Sequence, residues 1–309
     1  MYQTLIHGIL DNDHGSIARV ISLIENDEIT PDILSKLYDS SKKSIRVGIT
    51  GPPGAGKSTI TNALIEVCLA NKKTVGVVAV DPTSPFTGGA LLGDRIRMNK
   101  YSMDEKVFIR SLGNHGDLGG LSRKSHEIGD VLAASGKDYV FFETVGVGQG
   151  EHDIINTADI CVVVLVPESG DEIQLMKAGL IEIADIFIVN KSDRKGANRI
   201  SYLLKNVLHS FSSSRIAPPI FNTIASNNIG IVELFSGIQS HLNLMEKSGN
   251  LSSKRLKRYR NRVRDLVRET LEKSFWKLSK THALDELTEN LEDIRVAPHV
   301  IAERLLKNS

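Results

Sequence analysis

Apolar residues recur at helical spacing from the start of the chain: Leu5, Ile9 and Leu10, then Ile17, Val20, Ile21 and Ile24. The stretch Asp11 to Gly15 separates two helices, and Pro31 opens another turn before the pattern ends near residue 42. From Ile45 the period changes. Short β-branched runs alternate with helical stretches: IRVGIT, TVGVVAV, KVFIRS, YVFFET, ICVVVLV, IFIVNK and PIFNTIA. They are continuous in hydrophobicity, which suits strands covered by helices on both faces. Strand–helix repetition predicts an α/β fold, a doubly wound and mainly parallel sheet.

This domain is expected to close near residue 245, followed by a break at KSGNLSS, Lys247 to Ser253. Beyond it Leu256, Tyr259, Val263, Leu266, Val267, Leu271 and Phe275 fall on one helical stripe. A last amphipathic piece, Leu284 to Leu306, contains Pro298, which is placed to begin a helix at its first turn. Three regions result: 1–42, an N-terminal helical extension; 43–245, the α/β domain; and 246–309, a C-terminal helical arm.

Composition narrows the class. The 309 residues are 41% hydrophobic with a formal net charge of +1, so no whole-chain field selects nucleic acid or a membrane surface. Eight Lys or Arg crowd Lys254 to Arg268, but Tyr259 is the sole aromatic among them, and the apolar stripe makes them the solvated face of a helix. The two cysteines, Cys68 and Cys161, lie in apolar runs and read as buried hydrophobes. His115, His126 and His152 share no metal-ligand spacing. The N-terminus carries no signal pattern and no apolar run reaches the ~18 residues of a membrane span, so a cytoplasmic protein is expected.

The chemistry concentrates in GPPGAGKST, which follows IRVGIT and opens a helical run. Gly51, Gly56, Lys57 and Ser58 match G-x-x-x-x-G-K-[ST] in the strand–loop–helix context that the P-loop requires. Phosphate oxygens must reach consecutive backbone N–H groups, which leaves no room for large side chains, and the next helix turns its positive end toward the same anion. The loop Gly51, Pro52, Pro53, Gly54, Ala55, Gly56, Lys57, Ser58 and Thr59 is therefore a nucleotide-binding candidate. Lys57 would reach the β- and γ-phosphates and Ser58 Oγ would ligate Mg²⁺.

NKSD, Asn190 to Asp193, ends the run IFIVNK and has the form of the guanine-reading N-K-x-D. Asp193 can accept from guanine N1–H and N2–H; adenine offers neither donor, so GTP and GDP are expected over ATP and ADP. Asn190 would support O6 or N7, and the Lys191 stem can lie along the ring. NTIAS ends the next strand, so Ile224, Ala225 and Ser226 border the base, with an N–H of Ala225 or Ser226 directed at O6. ETVGVGQ resembles a D-x-x-G element with Glu in place of Asp: Glu143 would hold Mg²⁺, Gly146 would approach the γ-phosphate and Gln149 would orient water. Asp81 and Asp94 are further acids for the metal. The glycine-rich stretches 86–94 and 113–122 read either as ordinary turns or as switch loops responding to the γ-phosphate, flanked by Arg95, Arg97, Arg110 and Arg123.

DPTSPFTGGALLGDRIRM, HGDLGGLS, ETVGVGQGE, VPESGDEIQ and VNKSD together resemble the MeaB/ArgK family of P-loop GTPases, which includes the methylmalonic aciduria type A protein. The resemblance is dense over residues 40 to 245 and looser beyond. It implies a GTPase that is slow alone and stimulated by its partner, an adenosylcobalamin-dependent acyl-CoA mutase of the methylmalonyl-CoA mutase type, whose cofactor loading and protection it gates. It also implies a homodimer held partly by the C-terminal helices, Lys57, Asp81, Asp94 and Glu143 around phosphate and Mg²⁺, and Asn190, Lys191 and Asp193 around guanine. Two positions depart from the family pattern: His115 stands where an arginine is usual, and Gly150 where a serine is usual. Both lie in candidate switch segments and bear on partner stimulation. The alternative reading is a protein kinase or a transport-system ATPase or kinase, which would need a base beside an acceptor hydroxyl; no such residue stands out.

Overall fold

The computed structural model describes residues 2–40, 44–81, 101, 104–113, 120–144, 157–169, 180–211, 217–289 and 295–307. Three helices come first: α1 (Tyr2–Leu10), α2 (His14–Glu25) and α3 (Pro31–Ser40). They are followed by β1 (Ile45–Thr50), α4 (Lys57–Ala70), β2 (Val75–Asp81), β3 (Val107–Gly113), α5 (Gly120–Ala134), β4 (Tyr139–Glu143) and β5 (Ile160–Leu165). Then come α6 (Leu180–Ile183), β6 (Ile186–Asn190), α7 (Ala197–Phe211), β7 (Ile220–Thr223) and α8 (Ile231–Lys247). The last helices are α9 (Asn250–Phe275), α10 (Leu278–Leu287) and α11 (Pro298–Lys307). Every apolar run read as a strand is one, and Pro298 does open a helix.

The strands form one sheet in the order β3-β2-β4-β1-β5-β6-β7, all parallel. β1 lies in the middle, between β4 and β5. The chain winds outward from it in both directions, so the crevice at its C-terminal end is the topological switch point where such sheets bind ligands.

Strand alternation divides the core between the two faces. Val47, Ile49, Phe141, Val162 and Val164 pack with Leu64 of α4 and Leu234 of α8 on one side. Val78, Phe108, Val140 and Phe142 turn the other way, onto α5 and the N-terminal helices. On that same side Val163, Leu165 and Val189 meet Leu204 of α7. With both faces covered, β4, β5 and β6 are apolar at nearly every position.

The N-terminal helices are part of this core: Ile9, Ile17, Ile21, Ile24 and Leu37 are fully buried. Asp13 caps α2, its carboxylate accepting from the Ser16 N–H at 2.7 Å. The expected seven-residue break at KSGNLSS is shorter. Only Ser248 and Gly249 separate α8 from α9, because Leu251 is buried in the sheet's core and keeps the NLSS stretch helical against it.

The chain divides into two compact units, residues 1–254 and 255–309. Within the second, Lys280 Nζ donates to the Leu305 carbonyl and lies 5.3 Å from the Phe275 ring centroid. Among the described residues no helix is long and apolar enough to cross a membrane.

Lys137, between α5 and β4, is 1% exposed, and its Nζ donates to the Glu105 carbonyl at 3.3 Å. Burial pushes this ammonium down to about 8. The folded protein thus releases a proton near pH 8 that the unfolded chain holds to about 10.4, so this group's contribution to stability rises with pH between those values. Lys137→Met is expected to stabilise the protein at pH 7 by about 1–3 kcal/mol and to flatten that rise. Urea denaturation of both proteins from pH 6 to 10.5 measures it.

Candidate functional site

The loop between β1 and α4 is shaped by what surrounds it. Gly51 has φ 141°, and a Cβ there would lie 2.1 Å from the Val164 carbonyl oxygen of β5. Gly56, at φ 90°, would bring a Cβ to 2.4 Å from Asn190 Nδ2. At these two positions glycine is demanded by neighbouring strands. Ala55 N–H closes the loop on the Pro52 carbonyl at 3.2 Å. Pro53 and Gly54 are exposed, while Pro52, Ser58 and Thr59 are half-buried.

Lys57 begins α4. The residue is 7% exposed. Nζ donates to the Gly51 carbonyl at 2.9 Å and the Pro52 carbonyl at 3.0 Å. The concave loop turns these carbonyls inward, and the ammonium satisfies them there rather than in water.

Ser58 and Glu143 meet directly. Ser58 Oγ donates to Glu143 Oε1, joining the start of α4 to the end of β4. The carboxylate is 5% exposed. Behind it Thr144 Oγ1 donates to Thr50 Oγ1 at 3.0 Å, which fastens the ends of β4 and β1. β2 lies on the other side of β4, with Ala79 opposite Glu143, so Asp81 ends its strand on the same sheet edge. Asp94, Arg95, Arg97, His115, Gly146, Gln149 and Gly150 lie outside the described residues.

The P-loop and the candidate base-reading segment are joined through one side chain. Asn190 closes β6 and is 3% exposed. Its Nδ2 donates to the Ala55 carbonyl at 2.8 Å. Its Oδ1 accepts from Thr223 Oγ1 at 3.0 Å and from the Ala225 N–H at 3.1 Å. These partners define which end of the amide is which. They also engage one of the two N–H groups expected to face the base O6. Lys191, at φ 55°, extends its Nζ to the Gly54 carbonyl at 2.9 Å. Asp193 is exposed. Next to it Arg194 pairs with Glu168, which follows β5, and this partner holds the Glu168 carboxyl below the usual carboxylate range. Ile224 exchanges backbone hydrogen bonds with Ile229, while Ala225 to Asn227 form a short 3-10 turn.

Arg110, read as flanking a switch loop, is held by the N-terminal helices. Phe108, Arg110 and Leu112 face the N-terminal helices, and the guanidinium bonds to the Glu25 carboxylate and, at 3.1 Å, to Ser22 Oγ of α2. Lys124 of α5 reaches the same helix end, donating to the Glu25 carbonyl at 2.6 Å. Arg123 lies on α5. Among the described residues no group of three or more His, Cys, Asp or Glu is placed to hold a metal ion. Sequence spacing missed one contributor: Glu66 on α4, whose carboxylate accepts from Asn228 in the base-side loop at 3.1 Å. No motif marks it, since its partner lies 162 residues away.

Asn190→Ala would leave the Ala55 carbonyl, the Thr223 hydroxyl and the Ala225 N–H short of a partner in a buried place. It is expected to cost about 2–4 kcal/mol of stability and to weaken GDP binding roughly 100-fold. Thermal melts and titration calorimetry measure the two effects.

Residues 17–280 match the family model described as "Methylmalonyl Co-A mutase-associated GTPase MeaB". A Pyrococcus abyssi protein named "Putative GTPase" is 43% identical across 99% of this chain and 96% of its own. The methylmalonic aciduria type A homolog of Mus musculus is 32% identical across 90% of this chain and 71% of its own. GTPase ArgK of Escherichia coli is 31% identical across 81% and 78%. The crystal structure of a LAO/AO transport system kinase shares the fold, with a TM-score of 0.71 at 22% identity over 99% of this chain and 96% of that one. The chain belongs to the MeaB family of P-loop GTPases.

Proposed function

We propose that this GTPase is a chaperone of an adenosylcobalamin-dependent acyl-CoA mutase of the methylmalonyl-CoA mutase type, and that its GTP cycle gates cofactor loading and protects the mutase. The observation that carries the reading is the Ser58–Glu143 contact. It ties the P-loop helix to the strand end from which the glycine-rich segment ETVGVGQ departs, so the nucleotide's charge acts where a segment can answer it. The partner's identity is supported by the family's description and by the mouse relative's name.

The residues have distinct roles in this reading. The N–H groups of the P-loop and Lys57 hold the phosphates. Ser58 and Glu143 fit Mg²⁺: both are hard oxygen donors at one point, and this ion takes one or two carboxylates and completes its shell with water and phosphate. When bound, Mg²⁺ neutralises charge on the β- and γ-phosphate oxygens. In this proposal Asp81 and Asp94 are further acids for the metal, Gly146 serves the γ-phosphate and Gln149 orients water. Asn190 and Lys191 shape the base pocket, Asp193 reads N1–H and N2–H, and the Ser226 N–H faces O6.

A second copy of the chain completes the arm. Leu256, Tyr259, Val263, Leu266, Val267 and Leu271 of α9 are 42–63% exposed, an apolar stripe along one helix face. Isologous pairing of such a stripe gives the commonest closed assembly, a dimer. In the full chain, the pair Val263→Glu with Leu266→Glu is expected to halve the mass seen by light scattering; an unchanged dimer would reject this interface.

GTP turnover measured with and without the mutase tests the main proposal. A partner that completes or orders the site is expected to accelerate hydrolysis, an effect that reaches about 10³- to 10⁵-fold in GTPases. If the mutase alters neither rate nor nucleotide affinity, the chaperone reading fails.

A further inference from the structure

We propose that Glu66 is a positioning residue for guanine recognition, holding the far side of the base-side loop from α4. The loop is a small closed ring. Ile224 N–H donates to the Ile229 carbonyl at 3.1 Å and Ile229 N–H returns to the Ile224 carbonyl at 3.2 Å. Within the ring, Ala225 is bonded to Asn190. A ring held at one point can pivot about it, and the direction of the Ser226 N–H turns with it.

Glu66 supplies the second point. Its Oε2 accepts from Asn228 Nδ2 at 3.1 Å, and its Oε1 accepts from the Tyr101 hydroxyl at 3.3 Å. Asn228 sits at φ 57°, directly after the 3-10 turn that carries Ser226. Tyr101 is 5% exposed and packed in the core, so it anchors the carboxylate on its other side. A half-buried carboxylate with a donor on each oxygen loses much of its rotamer freedom, and a charged acceptor makes the stronger hydrogen bond. Glu66 acts through the loop and need not touch the nucleotide.

The inference rests on the guanine-reading assignment of Asn190 and Asp193, and the experiment separates the two. Glu66→Leu removes both acceptors at similar size. Glu66→Gln keeps a carbonyl for Asn228 and offers an amide N–H to the Tyr101 oxygen. Asn228→Gly cuts the tether from the exposed end while tolerating the positive φ. Titration calorimetry with GDP and with 2-aminopurine riboside diphosphate, which lacks O6 and the N1–H but keeps the 2-amino group, is the measurement. Glu66→Leu and Asn228→Gly are each expected to weaken GDP about 5- to 10-fold while changing the O6-free analogue less than about twofold. Glu66→Gln is expected to stay near wild type for both, and the double variant Glu66→Leu with Asn228→Gly to lose no more than either single. Unchanged GDP affinity in both single variants overturns the proposal, as does an equal loss for both nucleotides, which marks general loosening. Asp193→Asn is the separate arm: a switch toward xanthosine diphosphate supports the base-site reading, and retained guanine preference removes that reading and the Glu66 role with it.

Discussion

The nucleotide site depends on one buried amide. Asn190 stands at the end of β6, two strands from β1, and bonds both the P-loop carbonyl of Ala55 and the start of the base-side loop at Ala225. The P-loop and the proposed base-reading segment are more than 130 residues apart in the chain. Without a shared partner they would be two independent loops, each with its own freedom. A fully satisfied polar network in a low-dielectric interior joins them into one rigid surface. Gly56 shows how tight the fit is, because Asn190 occupies the space a Cβ would need.

At the phosphate end the same logic runs through charge. The ammonium of Lys57 sits among loop carbonyls, and Ser58 meets Glu143 from the neighbouring strand. The sheet makes the second meeting possible: β4 pairs with β1 in parallel register, so the two strands end together and Glu143 arrives beside the helix that β1 feeds. The central place of β1 therefore gathers Lys57, Ser58 and Glu143 at one edge, with Asn190 coming in across β5.

The N-terminal helices belong to this scaffold more closely than their position in the chain suggests. With α5 they cover the β3, β2 and β4 part of one sheet face, and the end of α2 binds Arg110 before, and Lys124 after, the glycine-rich stretch 113–122. The residues on either side of that stretch are thus fastened to the same helix terminus.

Much of this was legible in the amino-acid sequence. Seven apolar runs, the P-loop between a strand and a helix, and NKSD at a strand's end are local patterns; period and spacing determine them within a few residues, and they suffice for a parallel α/β nucleotide-binding fold. The positions of Ser58, Glu143 and Asn190 were read from motifs alone. Only the tertiary structure decided what those side chains touch. Lys57 proved buried, because the curvature of its loop turns carbonyls onto it. Arg110 was drawn to α2, because strand alternation points residue 110 at the N-terminal layer. Glu66 carries no motif, and its link to Asn228 exists only because α4 packs beside the base-side loop. Local periodicity follows from backbone geometry and can be read along the chain, whereas hydrogen-bond partners distant in sequence follow from packing, which no short stretch contains.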